Sequence, residues 1–260
     1  MNIKIKARVT TALLLAAGTG SRLYPLTKSE PKCMTSVNGK SILDRMIASL
    51  NFHGFKRLVI ITGHLESSIR NYLGNRIGDM KIEYIHSPLY KSTNNIYSLW
   101  MARKTIIEPF LLLESDLIYD KELLAKMLTP DRIAVSRMCE WMNGTCVLLN
   151  KSEMVKEFIA GSTDEIGMDS FKTVNIYSFS LESWKRIVQR LDESILIGKV
   201  NDYYETVFAD LVADNDLALK AVEFDESLWY EIDTVYDLAE AEKLFASQVL
   251  KRMQVINDAI

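Results

Sequence analysis

A short run of glycines and cations follows the first apolar segment and is suited to binding phosphate. Residues 11–17 lead into Gly18 and Gly20, and then into Arg22 and Lys32. Glycine permits a positive φ and leaves backbone N–H groups accessible to an anion, because it carries no Cβ. The two cations would add to the attraction of those amides for negative charge. The segment therefore predicts a loop that holds a chain of phosphates.

Two familiar phosphate loops are excluded by the spacing of these residues. A P-loop needs Gly-x-x-x-x-Gly-Lys followed by Ser or Thr, and the chain contains no such run. A dinucleotide fingerprint needs a third glycine at the position that Leu23 occupies. The loop must therefore belong to another class of phosphate-binding protein.

Carboxylates and amides supply the other candidate functional groups. Glu114 and Asp116 end the apolar run 110–116 on one face, and Asp233 ends the run 228–233 just before a predicted helix. Carboxylates at the carboxyl edge of a parallel sheet lie where such sheets bind ligands, although either aspartate could instead cap the following helix. The polar residues 92–95 offer groups for a base edge as well as an N-cap for a helix from residue 96.

The order of the predicted elements indicates an α/β fold. Apolar strands and amphipathic helices alternate about every thirty residues in the first half, which is typical of βαβ units with right-handed crossovers. We therefore expect a Rossmann-like mixed, mainly parallel sheet with helices on both faces. Strand-like runs at 132–137, 145–150 and 172–179 predict a small mixed β insertion over the pocket.

Composition limits the class of protein. The 260 residues are 48% apolar and 25% charged, and the net charge of −3 argues against a nucleic-acid-coating surface. Cys33, Cys139 and Cys146 lack metal-ligand spacing and are predicted to be free thiols of a reducing cytosol. The apolar run near the start is broken at Gly18, so it predicts neither a signal peptide nor a membrane span. We expect a cytoplasmic protein.

Three clusters pair an aromatic residue with a carboxylate in the second half of the chain. They are Glu140-Trp141, Tyr203-Tyr204-Glu205 and Trp229-Tyr230-Glu231. Such pairs suit a cationic group through cation–π and Coulomb attraction. Packing in the core is the alternative for any one of them, but together they favour a ligand with an amino or quaternary ammonium group.

The glycine loop resembles the signature of the sugar-phosphate nucleotidyltransferase superfamily. The matching residues are 17–23 (Ala-Gly-Thr-Gly-Ser-Arg-Leu), 25–27 (Pro-Leu-Thr) and Pro31-Lys32. The resemblance implies catalytic roles for Arg22, Lys32, Asp116 and Asp233, with Mg²⁺ held by Asp116 and Asp233. It also implies a nucleotide-binding set of Leu15, Ala16, Ala17, Gly18, Thr19, Gly20, Ser21, Asn95 and Ser98.

Other segments resemble the cytidylyltransferase branch. Residues 94–99, 140–141 and 230–233 are similar to phosphocholine cytidylyltransferases, and residues 111–119 to 2-aminoethylphosphonate cytidylyltransferases. Residues 141–145 and 172–177 resemble nucleotidyltransferase modules that are often fused to an aminotransferase. The resemblance implies CTP as donor and a small phosphonate or phosphomonoester as acceptor. The residues expected to bind the acceptor are Glu140, Trp141, Asn143, Lys172, Tyr204, Trp229 and Glu231.

The predicted organisation and reaction follow from these resemblances. Residues 1–245 form a nucleotidyltransferase domain with acceptor-binding elements mainly in 132–232. Residues 246–260 end a long helix and are expected to serve as a linker or to contact a second copy or a fused aminotransferase domain. The predicted reaction transfers CMP from CTP and releases pyrophosphate. A sugar-1-phosphate nucleotidyltransferase and a non-catalytic nucleotide-binding module are the alternatives.

Overall fold

The computed structural model describes residues 8–139, 142–159 and 170–257. The strands are β1 Thr11–Ala16, β2 Ser36–Val37, β3 Lys40–Ser41, β4 Arg57–Thr62, β5 Arg76–Ile77, β6 Met80–His86, β7 Phe110–Glu114, β8 Leu117–Tyr119, β9 Arg132–Arg137, β10 Cys146–Leu149, β11 Val155–Ile159, β12 Ser170–Phe179, β13 Lys220–Glu223 and β14 Trp229–Glu231. The helices are α1 Ile42–Phe52, α2 Glu66–Leu73, α3 Asn95–Met101, α4 Leu181–Leu196, α5 Tyr204–Ala213 and α6 Val235–Asn257.

One central sheet organises the chain and confirms the predicted α/β class. Its strand order is β11-β10-β12-β7-β1-β4-β6-β5, and β9 pairs with both β12 and β13. The pairs of β1 with β4, β1 with β7 and β4 with β6 are parallel, as the βαβ pattern predicts. Strand β12 then pairs antiparallel with β7, β9 and β10. The sheet is therefore parallel from β7 through β1 and β4 to β6, with β5 antiparallel at that edge, and it is mixed on the other side of β7.

The mixed strands of the second half differ from the predicted insertion in one respect. They do not form a separate small sheet over the pocket but continue the central sheet through β12, whose ten residues span β7, β9 and β10. Asn175 has φ 59° where the β12–β9 register shifts, so a bulge bends the strand between its two sets of partners. The sequence pattern could not give this arrangement, because strand periodicity does not specify which strand is the neighbour.

Alternating residues of β1 fill two different parts of the core. Ala12 and Leu14 belong to the cluster that contains residues of α1 and α2, whereas Leu13 and Leu15 belong to the cluster with α3, α4 and α5. Both faces of the strand are thus apolar, as expected for a parallel strand covered by helices on each side. None of the described helices is long and apolar enough to cross a membrane.

Local signals in the sequence explain where α1 begins. Asn38 and Gly39 both have positive φ, the conformation of the two-residue turn that joins β2 to β3. Oγ of Ser41 then accepts a hydrogen bond from N–H of Asp44 at 3.0 Å and caps α1. This segment packs against α6 through Val37, Ile42 and Phe245 in a third apolar cluster.

Gly63, directly after β4, permits a close contact beneath the glycine loop. A Cβ at Gly63 would lie 2.6 Å from the carbonyl oxygen of Ala17 and 2.7 Å from Cβ of Tyr90. We therefore expect Gly63→Ala to lower the free energy of unfolding by about 1–3 kcal/mol, the usual cost of overpacking. Denaturant unfolding measures this, with Gly18→Ala as the matched control because a Cβ there meets no atom within 4 Å. Equal stability of the two variants would contradict the close contact.

An ion-pair network joins β4 to β6 at the opposite edge of the sheet. Arg57 donates to both carboxylate oxygens of Glu83, at 2.9 and 3.1 Å, and to Glu108 at 3.0 Å. The hydrogen bonds from Arg57 lower the pKa of Glu83 from 4.5 to about 2, despite its partial burial.

The lowered pKa of Glu83 predicts a pH dependence of stability. The ionised Glu83 carboxylate stabilises the folded state fully at pH values above 4.5, the ordinary pKa that this group has in the unfolded chain. That stabilisation is lost as the pH falls through 4.5 toward 2. Between pH 5 and pH 3, the free energy of unfolding of Glu83→Gln should therefore fall less than that of the unaltered chain. Glu157→Gln alters an exposed side chain, and its free energy of unfolding should follow that of the unaltered chain. Denaturant midpoints across this range test the prediction, and parallel curves for all three proteins would contradict it.

Candidate active site

A cavity of about 480 Å³ opens where β1 and β7 end, at the carboxyl edge of the parallel strands. It collects most of the residues that the sequence singled out. The predicted site residues that line it are Leu15, Ala17, Gly18, Thr19, Gly20, Ser21, Arg22, Lys32, Asn95, Ser98, Asp116, Asn143, Lys172, Glu231 and Asp233.

The glycine loop runs directly from β1 into the cavity wall. Gly20 has φ 61°, and a Cβ there would lie 3.1 Å from Cβ of Lys32, so both its conformation and its surroundings require glycine. Oγ1 of Thr27 donates to the carbonyl oxygen of Gly20 at 2.7 Å and holds the turn. Gly18 does not adopt a positive φ, which corrects the expectation that both glycines turn the chain in this way.

Lys32 lies between the two aspartates that the sequence predicted to converge. Its Nζ donates to Oδ2 of Asp116 at 2.8 Å and to Oδ1 of Asp233 at 2.6 Å. Arg22 donates to the same Oδ1 of Asp233 at 2.7 Å. Burial alone would lower the pKa of Lys32, but the two carboxylates outweigh it and raise that pKa above its ordinary value. The four predicted catalytic residues therefore form one connected group of charges.

A two-stranded ladder outside the main sheet brings these aspartates together. Strand β14 pairs antiparallel with β8, so that Glu231 lies opposite Leu117, and N–H of Ile232 donates to the carbonyl oxygen of Asp116 at 2.9 Å. Asp233 is the second residue after β14, and its N–H donates to Oδ2 of Asp237 in the first turn of α6. Asp237 caps the helix, which leaves the Asp233 carboxylate free to face the cavity.

The aspartate pair has the chemistry of a divalent cation site. Both side chains supply carboxylate oxygens, and Oδ1 of Asp116 is buried without a hydrogen-bond partner. The described residues contain no group of three His, Cys, Asp or Glu side chains suited to hold a metal. Mg²⁺ is commonly held by one or two carboxylates together with substrate phosphates and water, so two aspartates beside a phosphate loop fit that ion.

The amino end of α3 forms another side of the cavity. Oδ1 of Asn94 accepts from N–H of Asn95 at 2.8 Å, as a helix cap does. Asn95 donates to Glu114 at 3.3 Å and accepts from N–H of Tyr204 at 3.0 Å, so both ends of its amide hold α3 against β7 and α5. Ser98 is buried but borders the cavity. The predicted contacts of Asn95 and Ser98 with a base stay predictions.

Three predicted site residues face the core rather than the cavity. Ala16 and Trp229 lie in the apolar cluster with α1 and α2, and Tyr204 lies in the cluster on the other side of the sheet. Tyr204 and Trp229 are fully buried and do not line the cavity, so their predicted contact with an acceptor has no support in this geometry and stays a prediction. Successive residues of a strand or helix point in different directions, and the sequence pattern does not specify which of them faces the cavity. Glu140 and Trp141 lie outside the described residues.

Carboxylates line the deep end of the cavity, where the sequence pointed mainly to aromatic residues. Glu114, Glu205 and Glu231 all border it, together with Lys172 and Asn175. Nζ of Lys172 donates to the carbonyl oxygen of Thr173 at 2.6 Å and lies 3.5 Å from Oε2 of Glu231. Glu205 was visible in the sequence beside Tyr204, but only the position of α5 reveals which of the two reaches the cavity.

Burial governs the protonation of these acids. It raises the pKa of Glu114 well above the ordinary value, and the neighbouring charges of Asp116 and Glu205 add to this. Burial also raises the pKa of Glu231 against the opposing effect of Lys172, and it raises the pKa of Glu205 to about 7. The deep end of the cavity thus holds more carboxylates than its one lysine can balance.

Comparison with known proteins agrees with this geometry. Residues 11–133 match the nucleotidyl transferase family. The chain is 29% identical over 247 residues to a CMP-5'-(3-aminopropyl)phosphonate synthase of Streptomyces rubellomurinus, covering 90% of this chain but only 38% of that relative. It is 27% identical to a CTP:phosphoglutamine cytidylyltransferase of Campylobacter jejuni, covering 87% of this chain and 97% of the relative.

A solved structure has the same fold. The CTP:phosphocholine cytidylyltransferase of Streptococcus pneumoniae superimposes with a TM-score of 0.77 at 24% identity, over 92% of this chain and 99% of that one. Residues 11–133 thus match the nucleotidyl transferase family, and over most of its length the chain is similar to enzymes named as cytidylyltransferases.

Proposed function

We propose that this enzyme transfers CMP from CTP to a small phosphonate or phosphomonoester with the help of Mg²⁺. The observation that carries the proposal is the position of Lys32 Nζ within hydrogen-bond distance of both Asp116 and Asp233, beside the Gly20 turn. The cations, the carboxylates and the glycine loop all border the same cavity, which supports the proposal. The amino-alkylphosphonate and phosphoglutamine named for the two relatives support an acceptor of this size.

The reaction requires no protein nucleophile. An oxygen of the acceptor attacks the α-phosphorus of CTP, a new P–O bond forms, and the bond to the β-phosphate oxygen breaks to release pyrophosphate. Since the acceptor is already an anion, the main task of the protein is to bring two polyanions together and balance their charge. Mg²⁺ held by Asp116 and Asp233 would neutralise phosphate oxygens as a Lewis acid.

Different residues of the cavity would bind CTP and the acceptor. The amides of residues 18–21 and the exposed guanidinium of Arg22 would hold the β- and γ-phosphates of CTP. Lys32 would exchange its two aspartates for a phosphate oxygen when the cation and CTP bind. Lys172, deeper in the cavity, is placed to contact the acceptor, and Asn143 lies on the same wall.

A pyrophosphate-release screen tests the proposed donor and acceptor. We expect turnover with CTP and with 2-aminoethylphosphonate or phosphocholine, and much less with UTP, ATP or GTP as donor. Glucose 1-phosphate is the contrasting acceptor, because neutral sugar hydroxyls leave the buried carboxylates without a cation. Turnover with glucose 1-phosphate alone would overturn the proposal in favour of a sugar nucleotidyltransferase.

Removal of one aspartate tests the charge cluster. Asp116→Asn should lower kcat by about 10²–10³, the usual effect of losing one preorganised electrostatic group. The thermal midpoint should change little in comparison, because the amide keeps the volume of the side chain. The matched control is Asp79→Asn, an exposed aspartate paired with Lys56, which should keep full turnover. Full activity of Asp116→Asn would remove this residue from the reaction.

A further inference from the structure

Glu205 is a buried carboxylate that forms no ion pair within the described part of the chain, although the charge of Lys172 acts on it. It lies in the first turn of α5, is only 8% exposed and borders the cavity. Its Oε2 is buried without a hydrogen-bond partner. An unpartnered buried charge lowers the stability of a protein, so a carboxylate in this position indicates a ligand that supplies the missing donor.

The charged side chains around Glu205 already have other partners. Lys32 and Arg22 are already paired with the aspartates at the mouth of the site. Lys172 lies beside Glu231 and also donates to a backbone carbonyl. Glu114, the third acid of the deep end, is a further carboxyl group and supplies no cation.

Two of the tyrosines near Glu205 do not reach the cavity. Tyr204 and Tyr177 are fully buried and pack against Phe208 with ring centroids 5.0 and 5.1 Å away, respectively. A trimethylammonium group is usually held by a cage of aromatic faces. Among the described residues, Tyr90 and Tyr203 line the cavity, together with the carboxylates of Glu114, Glu205 and Glu231 and the amide of Asn95.

We propose that Glu205 determines acceptor specificity by accepting a hydrogen bond from a primary ammonium group at the far end of the acceptor. This inference rests on the proposed function and names the substrate class of the same site. A primary ammonium carries three N–H donors and a full charge, so it satisfies Oε2 of Glu205 and offsets the excess of acids. A trimethylammonium has no N–H to donate and leaves that oxygen unpaired.

The test uses three acceptors that differ at one end only. They are 2-aminoethylphosphonate, its N,N,N-trimethyl analogue and propylphosphonate, in which a methyl group replaces the ammonium. At pH 8, kcat/KM should be highest for the primary amine. Glu205→Gln should lower kcat/KM for the amine by about 30-fold or more, the effect of truncating a buried hydrogen-bonded charge pair, and change it little for propylphosphonate.

Two controls separate recognition from folding. Glu182→Gln, an exposed acid on α4, should leave the order of the three acceptors unchanged. Thermal unfolding of the ligand-free enzyme at pH 8 should give a higher midpoint for Glu205→Gln, because the substitution removes a buried charge. A lower midpoint with an equal loss for all three acceptors would assign Glu205 a structural role and overturn the inference.

Binding data distinguish the two proposals. The acceptors are titrated calorimetrically into the enzyme with Mg²⁺ and a non-reactive α,β-methylene analogue of CTP. If the analogue binds and the panel gives no product, the proposed function fails, while the binding order of the acceptors still decides the role of Glu205. Equal or tighter binding of the trimethyl compound, or no effect of Glu205→Gln on the amine, would overturn the inference.

Discussion

The site depends on the pairing of β8 with β14. These strands are about 110 residues apart in the chain, and their short antiparallel ladder sets Asp116 and Asp233 on either side of one lysine. Two buried carboxylates so close together would repel each other strongly without a cation between them. Lys32 supplies that cation in the ligand-free protein, and the Gly20 turn allows it to approach because no Cβ stands in the way.

The central sheet and the β8–β14 ladder position different parts of the site. Strands β1, β4 and β7 are buried on both faces, and their carboxyl ends give the glycine loop and Glu114 a rigid base. The ladder and α6 pack on this base through a smaller apolar cluster of their own. Rigid strands position the phosphate loop, and the separate ladder adds the second aspartate.

The interior of the cavity is poor in stabilising interactions. Glu114, Glu205 and Glu231 are held against their preference for water, which is why burial raises the pKa of each. Functional sites often retain such strained charges because the ligand completes them. The rest of the fold compensates with two large apolar clusters and with ion pairs such as Arg57 with Glu83, far from the site.

The sequence by itself determined the α/β class and the position of the glycine loop. It also identified Arg22, Lys32, Asp116 and Asp233 as residues of one candidate site. These features depend on local pattern: glycine spacing, apolar runs, and carboxylates at strand ends. Tertiary structure alone decided that the mixed strands continue the central sheet. It also decided that Tyr204 and Trp229 face the core and that Glu205 faces the cavity. The physical reason is that strand neighbours and side-chain direction depend on packing between distant segments, which neighbouring residues in the sequence do not encode.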